Sequence, residues 1–381
     1  MAEKIRFSPS ICLTHDCNLS CIYCYQSHCV GNVMSFDTAK RCIDTIFSSI
    51  PVECSGVEIG FIGGEPLLEF ELIKQIVDYV ASKNFPDEYI FFASTNGTLL
   101  TEEMKSWFKE HKDRFVLGLS LDGTPETHNY NRCDSYGSID FDFFINTWPN
   151  QGVKMTLSEH SLANLAANIK HIHSLGFKQI SGVNLFEGTF DWGQERFIDM
   201  LLPQLTELVE FYVENDDLTI NQMLDRRLIL CEEKPRKKRK WCGIGTGTLF
   251  FDTDGSIMPC AFCTPMTFDV STISRIRQTD FSVDNDFIDD ECFNECYMYP
   301  ICPYCAGANY LTEGTFKTRS KKKCKIQKLI TLYSAELQAR RMVKNPDRFS
   351  DAEKYNLINA IKKIRKHYLP EFVDIIEKAS Q

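Results

Sequence analysis

The stretch SICLTHDCNLSCIYCY, residues 10–25, decides how the rest of the chain is read. Its first five residues are mostly apolar or β-branched and predict a buried strand, Ser10–Thr14, which runs directly into a polar loop carrying Cys17, Cys21 and Cys24 in the spacing CxxxCxxC. A strand that ends in a functional loop is the start of a βα unit, and the pattern repeats. Further strands are predicted at Val57–Ile62, Tyr89–Ser94, Phe115–Leu121, Lys154–Leu157 and Gln179–Val183, with helices at Asp37–Ser49, Leu68–Ser82, Glu102–His111, Phe141–Trp148 and Leu162–Leu175. Asp37 and Thr101 are expected to cap the first and third helices, and Gly176 to close the fifth. Six such units predict an α/β fold whose parallel strands form a partly closed, TIM-like (β/α)6 barrel.

In parallel α/β folds, binding loops gather at the carboxyl ends of strands. The cysteine loop follows the first strand, GlyGlyGluPro (63–66) the second, ThrAsnGly (95–97) the third and AspGly (122–123) the fourth. A helix from about Trp192 to Glu214 closes this region. The expected division is therefore a barrel over 1–215, a connector over 216–241, a cysteine-rich module over 242–325 and a charged helical tail over 326–381. The module opens with a predicted hairpin, GTLFFDTDGSIMPC (247–260), turning at Asp254–Gly255.

Composition excludes several classes. Seventeen cysteines and no secretory signal predict a cytoplasmic protein whose thiols serve metal or redox chemistry, because a reducing compartment does not sustain a disulfide framework. A net charge of −10 argues against nucleic acid as partner, and no apolar run is long enough to span a membrane. The basic run Lys234–Lys240 is the local exception, read as a solvated linker or as a surface for an acidic peptide or nucleic acid.

Three closely spaced thiolates leave one iron of a [4Fe–4S] cube without a protein ligand; tetrahedral zinc is the alternative that CxxC spacing also suits. The segment 17–25, with Tyr23 before the last cysteine, resembles the signature of the radical S-adenosylmethionine superfamily. The resemblance implies that Cys17, Cys21 and Cys24 hold the catalytic cluster, that S-adenosylmethionine chelates its open iron, and that cleavage gives a 5′-deoxyadenosyl radical. It implies further that Gly63, Gly64, Glu65 and Pro66 meet the methionyl amino group, that Ser94, Asn96, Ser120 and Asp122 line the cofactor pocket, and that Arg132 pairs with the cofactor carboxylate or with substrate.

Cys242, Cys260, Cys292, Cys296, Cys302, Cys305 and Cys324 resemble the SPASM extension of that superfamily, which carries two auxiliary [4Fe–4S] clusters. By that resemblance Cys242, Cys260 and Cys305, with Cys263 as candidate fourth ligand, hold the nearer cluster, and Cys292, Cys296, Cys302 and Cys324 the farther one. The central block reads CxxxCxxxxxCxxC where the family usually has CxxCxxxxxCxxxC, which leaves the partner assignment open, and paired zinc sites are the alternative. Cys12, Cys29, Cys42, Cys54, Cys133 and Cys231 have no ligand spacing and are expected to be packing residues, with Cys29 and Cys133 near the active-site loops.

The run 118–132 is similar both to anaerobic sulfatase-maturating enzymes and to maturases of ribosomally made peptides. Sulfatase maturases carry an aspartate base directly after the hairpin cysteine; this chain has Ala261 there. The expectation is therefore a peptide maturase installing a thioether or carbon–carbon crosslink, with sulfatase-type oxidation and a non-catalytic metal scaffold as alternatives. Its expected partners are a precursor peptide and an electron donor such as flavodoxin or ferredoxin; since only some ten residues precede the first strand, leader recognition is expected to fall to a separate leader-binding protein, to be absent, or to use another surface such as Lys234–Lys240.

Overall fold

The computed structural model describes residues 7–27, 31–83, 85, 88–185, 191–233, 238 and 240–379. In chain order its strands are β1 (Ser10–Thr14), β2 (Gly56–Gly63), β3 (Glu88–Thr95), β4 (Phe115–Leu119), β5 (Val153–Leu157), β6 (Ile180–Leu185), β7 (Phe250–Phe251) and β8 (Ile257–Met258). The helices are α1 (Phe36–Ser48), α2 (Phe70–Ser82), α3 (Glu102–Glu110), α4 (Pro125–Asn131), α5 (Phe141–Thr147), α6 (Glu159–Leu162), α7 (Leu165–Ser174) and α8 (Arg196–Glu214). They continue with α9 (Val270–Gln278), α10 (Asp290–Glu295), α11 (Ala306–Glu313), α12 (Cys324–Lys344), α13 (Asp351–Tyr368) and α14 (Val373–Ala379). All six strands expected between residues 10 and 185 form, and their ends shift by at most two residues. Among the described residues no helix is long and apolar enough to cross a membrane.

The chain divides into two compact units, and each is discontinuous. The first comprises Met1–Ser120, His128–Gln151 and Cys242–Val283. Its sheet has the order β4-β3-β2-β1-β7-β8, with β1 to β4 and the β1–β7 pair parallel and the β7–β8 hairpin antiparallel. The hairpin thus extends the sheet at the edge of β1 rather than standing apart. Near-continuous burial of β1 and β2 explains their apolar runs, since parallel strands are covered on both faces. Phe61, Phe91 and Phe115 stack from three adjacent strands at 5.5–5.8 Å, and Phe70, Trp107 and Phe108 close over the cluster from the α2 and α3 side. Removing one such ring costs about 3–5 kcal/mol.

Helix starts follow local chemistry. Thr101 accepts from Met104 N at 3.2 Å, as anticipated. For α1 the cap is Ser35, which accepts from Thr38 N; Asp37 lies inside the first turn, where its charge faces the positive end of the helix dipole. Gly176 follows α7 with φ 107°, a left-handed turn that favours glycine.

The second unit comprises Leu121–Thr127, Gly152–Trp241 and Asp284–Gln381. It holds the parallel pair β5–β6, with Leu121 N donating to Lys154 O at 2.9 Å. Its core is helical: α8 buries Phe197, Leu201, Leu205, Leu208 and Tyr212 at helical spacing, and α12 packs on α8 and on α13. Helices α10 and α11, and the start of α12, fall in the stretch read from sequence only as cysteine-rich.

Candidate active site and cysteine clusters

The end of β1 is fastened before the first cysteine arrives. Thr14 Oγ1 accepts from Asp16 N, the Asp16 carboxylate accepts from Gly31 N at 3.0 Å, and His15 N donates to Asn32 O. These bonds close the base of a loop over 16–31. Within it Cys24 N donates to Cys21 O, and Ile22 N to Asn131 O. Tyr23 is buried beneath the Arg132 guanidinium, 5.3 Å from its ring centre. Cys17 and Cys24 lie within electrostatic reach of Arg132; burial raises both thiols and that cation pulls them back.

The GlyGlyGluPro turn touches this loop through backbone. Gly64 N donates to Thr14 O and Glu65 N to Asp16 O. A Cβ on Gly63 would lie 2.2 Å from Thr14 O, and one on Gly64 2.1 Å from Asp16 O, so both positions exclude any side chain. Glu65 is 1% exposed, and its carboxylate accepts from Leu67 N, Thr95 Oγ1 and Asn96 N at 2.7–3.1 Å. Burial pushes its carboxyl up to about 7 against those three bonds and the pull of Arg132. A carboxylate has about four lone-pair sites, which leaves one acceptor for an ammonium.

The other expected pocket residues divide between the units. Asn96 donates to Asn18 Oδ1 and accepts from Thr98, clamping the cysteine loop, so Asn18 and Thr98, and Thr95 of the ThrAsnGly motif, join the site beside the residues expected to line the pocket. Ser94 lies within β3 and is half-buried; Ser120 is half-buried and donates its N–H to Thr95 O. Asp122 lies in the second unit, wholly buried, with Oδ1 accepting from Thr156 N. Cys133 Sγ accepts from Ser20 N at 3.3 Å; Cys29 and most of the basic run, residues 234–237 and 239, lie outside the described residues.

The hairpin brings cysteines into the first unit. Cys260 and Cys263 flank a turn in which Cys263 N donates to Cys260 O, and the Cys263 thiol, fully buried, draws the Cys260 thiol below its ordinary range. Tyr25 stacks on Phe262 at 4.7 Å and Ser27 N donates to Met266 O, so this turn is joined to the segment just past Cys24. Cys242 is exposed in the same unit, and Cys305 belongs to the second.

His15 Nε2 meets Asp252 Oδ1 at 2.6 Å, both buried, with Cys12 beside them. Asn32 Nδ2 donates to His15 Nδ1, which places the ring proton on Nε2 facing the carboxylate. At 2.6 Å the pair is a direct hydrogen bond with no room for an ion between the two atoms. Among the described residues, these three are the one set of Cys, His, Asp or Glu whose ligand atoms all fall within 4.8 Å of one another.

In the second unit, Cys292 and Cys296 stand at the two ends of α10, Cys302 follows a short turn and Cys324 begins α12. Cys302, Cys296 and Cys324 share one electrostatic neighbourhood, and burial pushes the Cys302 thiol up to about 12 while Arg319 and Arg226 pull it down. Cys305 caps α11, its Sγ accepting from Ala308 N. A cavity of about 640 Å³ is lined by Cys305, Arg226, Arg319, Trp241, Tyr299 and Tyr304. The cysteine spacing pointed to the thiols; the cations and Tyr368 around them carried no sequence signal.

Residues 11–201 match the family described as the Radical SAM superfamily. The chain is 26% identical to a cysteine-type anaerobic sulfatase-maturating enzyme of Clostridium perfringens, over 65% of this chain and 71% of that one. It is 27% identical to the antilisterial bacteriocin subtilosin biosynthesis protein AlbA of Bacillus subtilis, over 68% of this chain and 56% of AlbA. The structure of anSMEcpe with bound AdoMet superposes with a TM-score of 0.67 at 17% identity, covering 93% of this chain and 98% of that one, a likeness of fold.

Proposed function

The chain belongs to the radical SAM superfamily and is an enzyme of that kind; from that premise we propose that it installs an intramolecular crosslink, thioether or carbon–carbon, in a ribosomally made peptide. Strands β1 to β6 are read as its partial (β/α)6 barrel and residues 242–325 as a SPASM module with two auxiliary clusters. The observation that carries the choice of reaction is Ala261. It stands between Cys260 and the buried Cys263 on the turn joined to the cysteine loop, where a sulfatase-type oxidation needs a carboxylate base. The names of the two relatives, one maturing sulfatases and one needed for a bacteriocin, support a polypeptide substrate.

The donor sets fit clusters better than zinc. Four thiolates on one tetrahedral zinc lie about 3.8 Å apart, whereas among the described residues no three of these cysteines bring their sulfurs within 4.8 Å of one another. Cys17, Cys21 and Cys24 would hold the cluster that binds S-adenosylmethionine, which when bound supplies a 5′-deoxyadenosyl radical for hydrogen abstraction. The protein's part is placement. Gly63 and Gly64 let backbone close on the loop, Glu65 offers its remaining acceptor to an ammonium, and Arg132 over Tyr23 offers a guanidinium to a carboxylate. Cys242, Cys260, Cys263 and Cys305 would hold the nearer auxiliary cluster, and Cys292, Cys296, Cys302 and Cys324 the farther. A flavodoxin or ferredoxin would bring the electron, and a separate protein would present the leader.

The test is anaerobic reconstitution with dithionite, S-adenosylmethionine and short peptides encoded beside the gene. A product two hydrogens lighter with no new oxygen is expected, together with 5′-deoxyadenosine. A serine or cysteine converted to an aldehyde would instead establish the sulfatase-type reaction, and no deoxyadenosine at all would leave only a metal scaffold.

A further inference from the structure

The surroundings of Cys292, Cys296, Cys302 and Cys324 are unusually rich in cations for an acidic chain. Lys321 places Nζ 3.1 Å from Cys292 Sγ, and the Tyr368 hydroxyl lies 3.6 Å from Cys296 Sγ. Arg226 is 7% exposed and donates to Met223 O, Gln327 O, Gln327 Oε1 and Thr331 Oγ1, all of them neutral. Arg319, also 7% exposed, is sandwiched between Tyr299 and Tyr304 at 4.5 and 3.9 Å. Its Nε finds no hydrogen-bond partner among the described residues. Among the described residues neither guanidinium is paired with a carboxylate, and two such buried cations are expensive unless an anion faces them.

We propose that Lys321, Tyr368, Arg226 and Arg319 form a cage of positive charge and N–H or O–H donors that holds the reduction potential of the cluster on these four cysteines high, making it the electron acceptor of the reaction. The inference rests on the reading that those cysteines carry a cluster. Four thiolates around a [4Fe–4S]2+ core leave a net charge of about −2, and each added electron deepens it. Donors to sulfur and nearby cations stabilise the reduced state more than the oxidised one, so the potential rises. Lys321 Nζ also lies 3.3 Å from Glu291 Oε1 and 3.8 Å from Asp289 Oδ2, so the ammonium is held between these carboxylates and the Cys292 sulfur.

The purpose of a raised potential follows from the electron count. Hydrogen abstraction leaves a substrate radical; ring closure with loss of a proton from its partner group leaves one surplus electron. That electron is accepted at this site, reducing it by one, and leaves to an oxidised flavodoxin- or ferredoxin-class protein. The substrate is thereby oxidised by two electrons in all, one with the abstracted hydrogen and one here.

A potentiometric EPR titration of the full-length reconstituted enzyme tests the cage, with iron counted in every sample. Lys321→Met and Arg319→Gln are expected to keep wild-type iron and to lower one midpoint, so that at the wild-type midpoint the ratio of reduced to oxidised cluster falls about tenfold. Tyr368→Phe gives a smaller fall in the same direction, and Lys321→Arg restores wild-type behaviour. Lys321 is 45% exposed, so its replacement is tolerated even if Arg319→Gln does not fold. Unchanged midpoints at full iron in Lys321→Met and Tyr368→Phe overturn the cage. If Cys302→Ser binds as much iron as wild type, the cluster assignment fails instead, whatever the midpoints do.

Discussion

Around Cys17 and Cys24 the charged neighbours are one guanidinium, that of Arg132, and, for Cys17, the buried carboxyl of Glu65. Around Cys292, Cys296, Cys302 and Cys324 stand two guanidiniums, an ammonium and a phenol, together with the carboxylates of Asp289 and Glu291. The first set sits on a loop stitched by backbone, with Cys24 exposed; the second lies among helices, with Arg319 and Lys321 supplied from just before Cys324 and Arg226 and Tyr368 from distant segments. The difference teaches that equally close cysteine spacings sit in different electrostatic surroundings; on the functions proposed above, the first region would pass an electron to a bound cofactor and the second would receive one.

The largest effects should break the first region while sparing the second. Cys21→Ala is expected to reduce 5′-deoxyadenosine to background and to remove about four irons per chain, with the remaining iron retained; a coulometric iron assay and mass spectrometry read both. Cys302→Ser should do the reverse, losing about four irons yet still forming deoxyadenosine, and losing crosslinked product. If both variants lose all their iron, the regions are not separate sites.

A glycine tests how firmly the loop is held. Gly64→Ala would drive a methyl against Asp16 O, and we expect a loss of about 3 kcal/mol in urea denaturation, at the upper end for single substitutions. Gly314→Ala, at a left-handed φ of 70° but with open space around it, should cost only about 1 kcal/mol.

Glu65 sharpens the comparison through pH. Its carboxyl, ordinarily near 4.5, is raised to about 7, so in that window the folded chain holds a proton the unfolded chain has lost. Its contribution is complete below about pH 4.5 and is lost as pH rises towards 7, about 3 kcal/mol in all. Glu65→Gln should flatten this slope in denaturation curves taken at pH 5, 6 and 7. The same titration makes binding of S-adenosylmethionine weaken below pH 7, because a protonated carboxyl attracts an ammonium less.

Much of this was legible from residues. The bounds of β1 are legible because the apolar and β-branched run Ile11–Thr14 ends abruptly at His15. Thr101 and the Asp254–Gly255 turn carry local signals, and Gly255 has φ 82° as the turn requires. Asp37 misled because Ser35, two residues earlier, competes for the same helix end and leaves the acid in the first turn, where it is also favoured. The sequence reading continued β5 and β6 from β4 as one series, whereas the strands pair in two sheets, since which strand neighbours which is decided by packing. Arg226, Tyr368 and Asp252 escaped notice for another reason. Their partners lie 101, 72 and 237 residues away, and no periodicity encodes a contact of that span.

The His15–Asp252 hydrogen bond sets an order of events during synthesis. At about 5–20 residues per second a ribosome needs roughly 12–50 s to make the 237 residues between them. For that interval the nascent chain carries the three thiols of Cys17, Cys21 and Cys24 on a loop whose flanking histidine still lacks its carboxylate, and the sheet edge at β1 awaits β7.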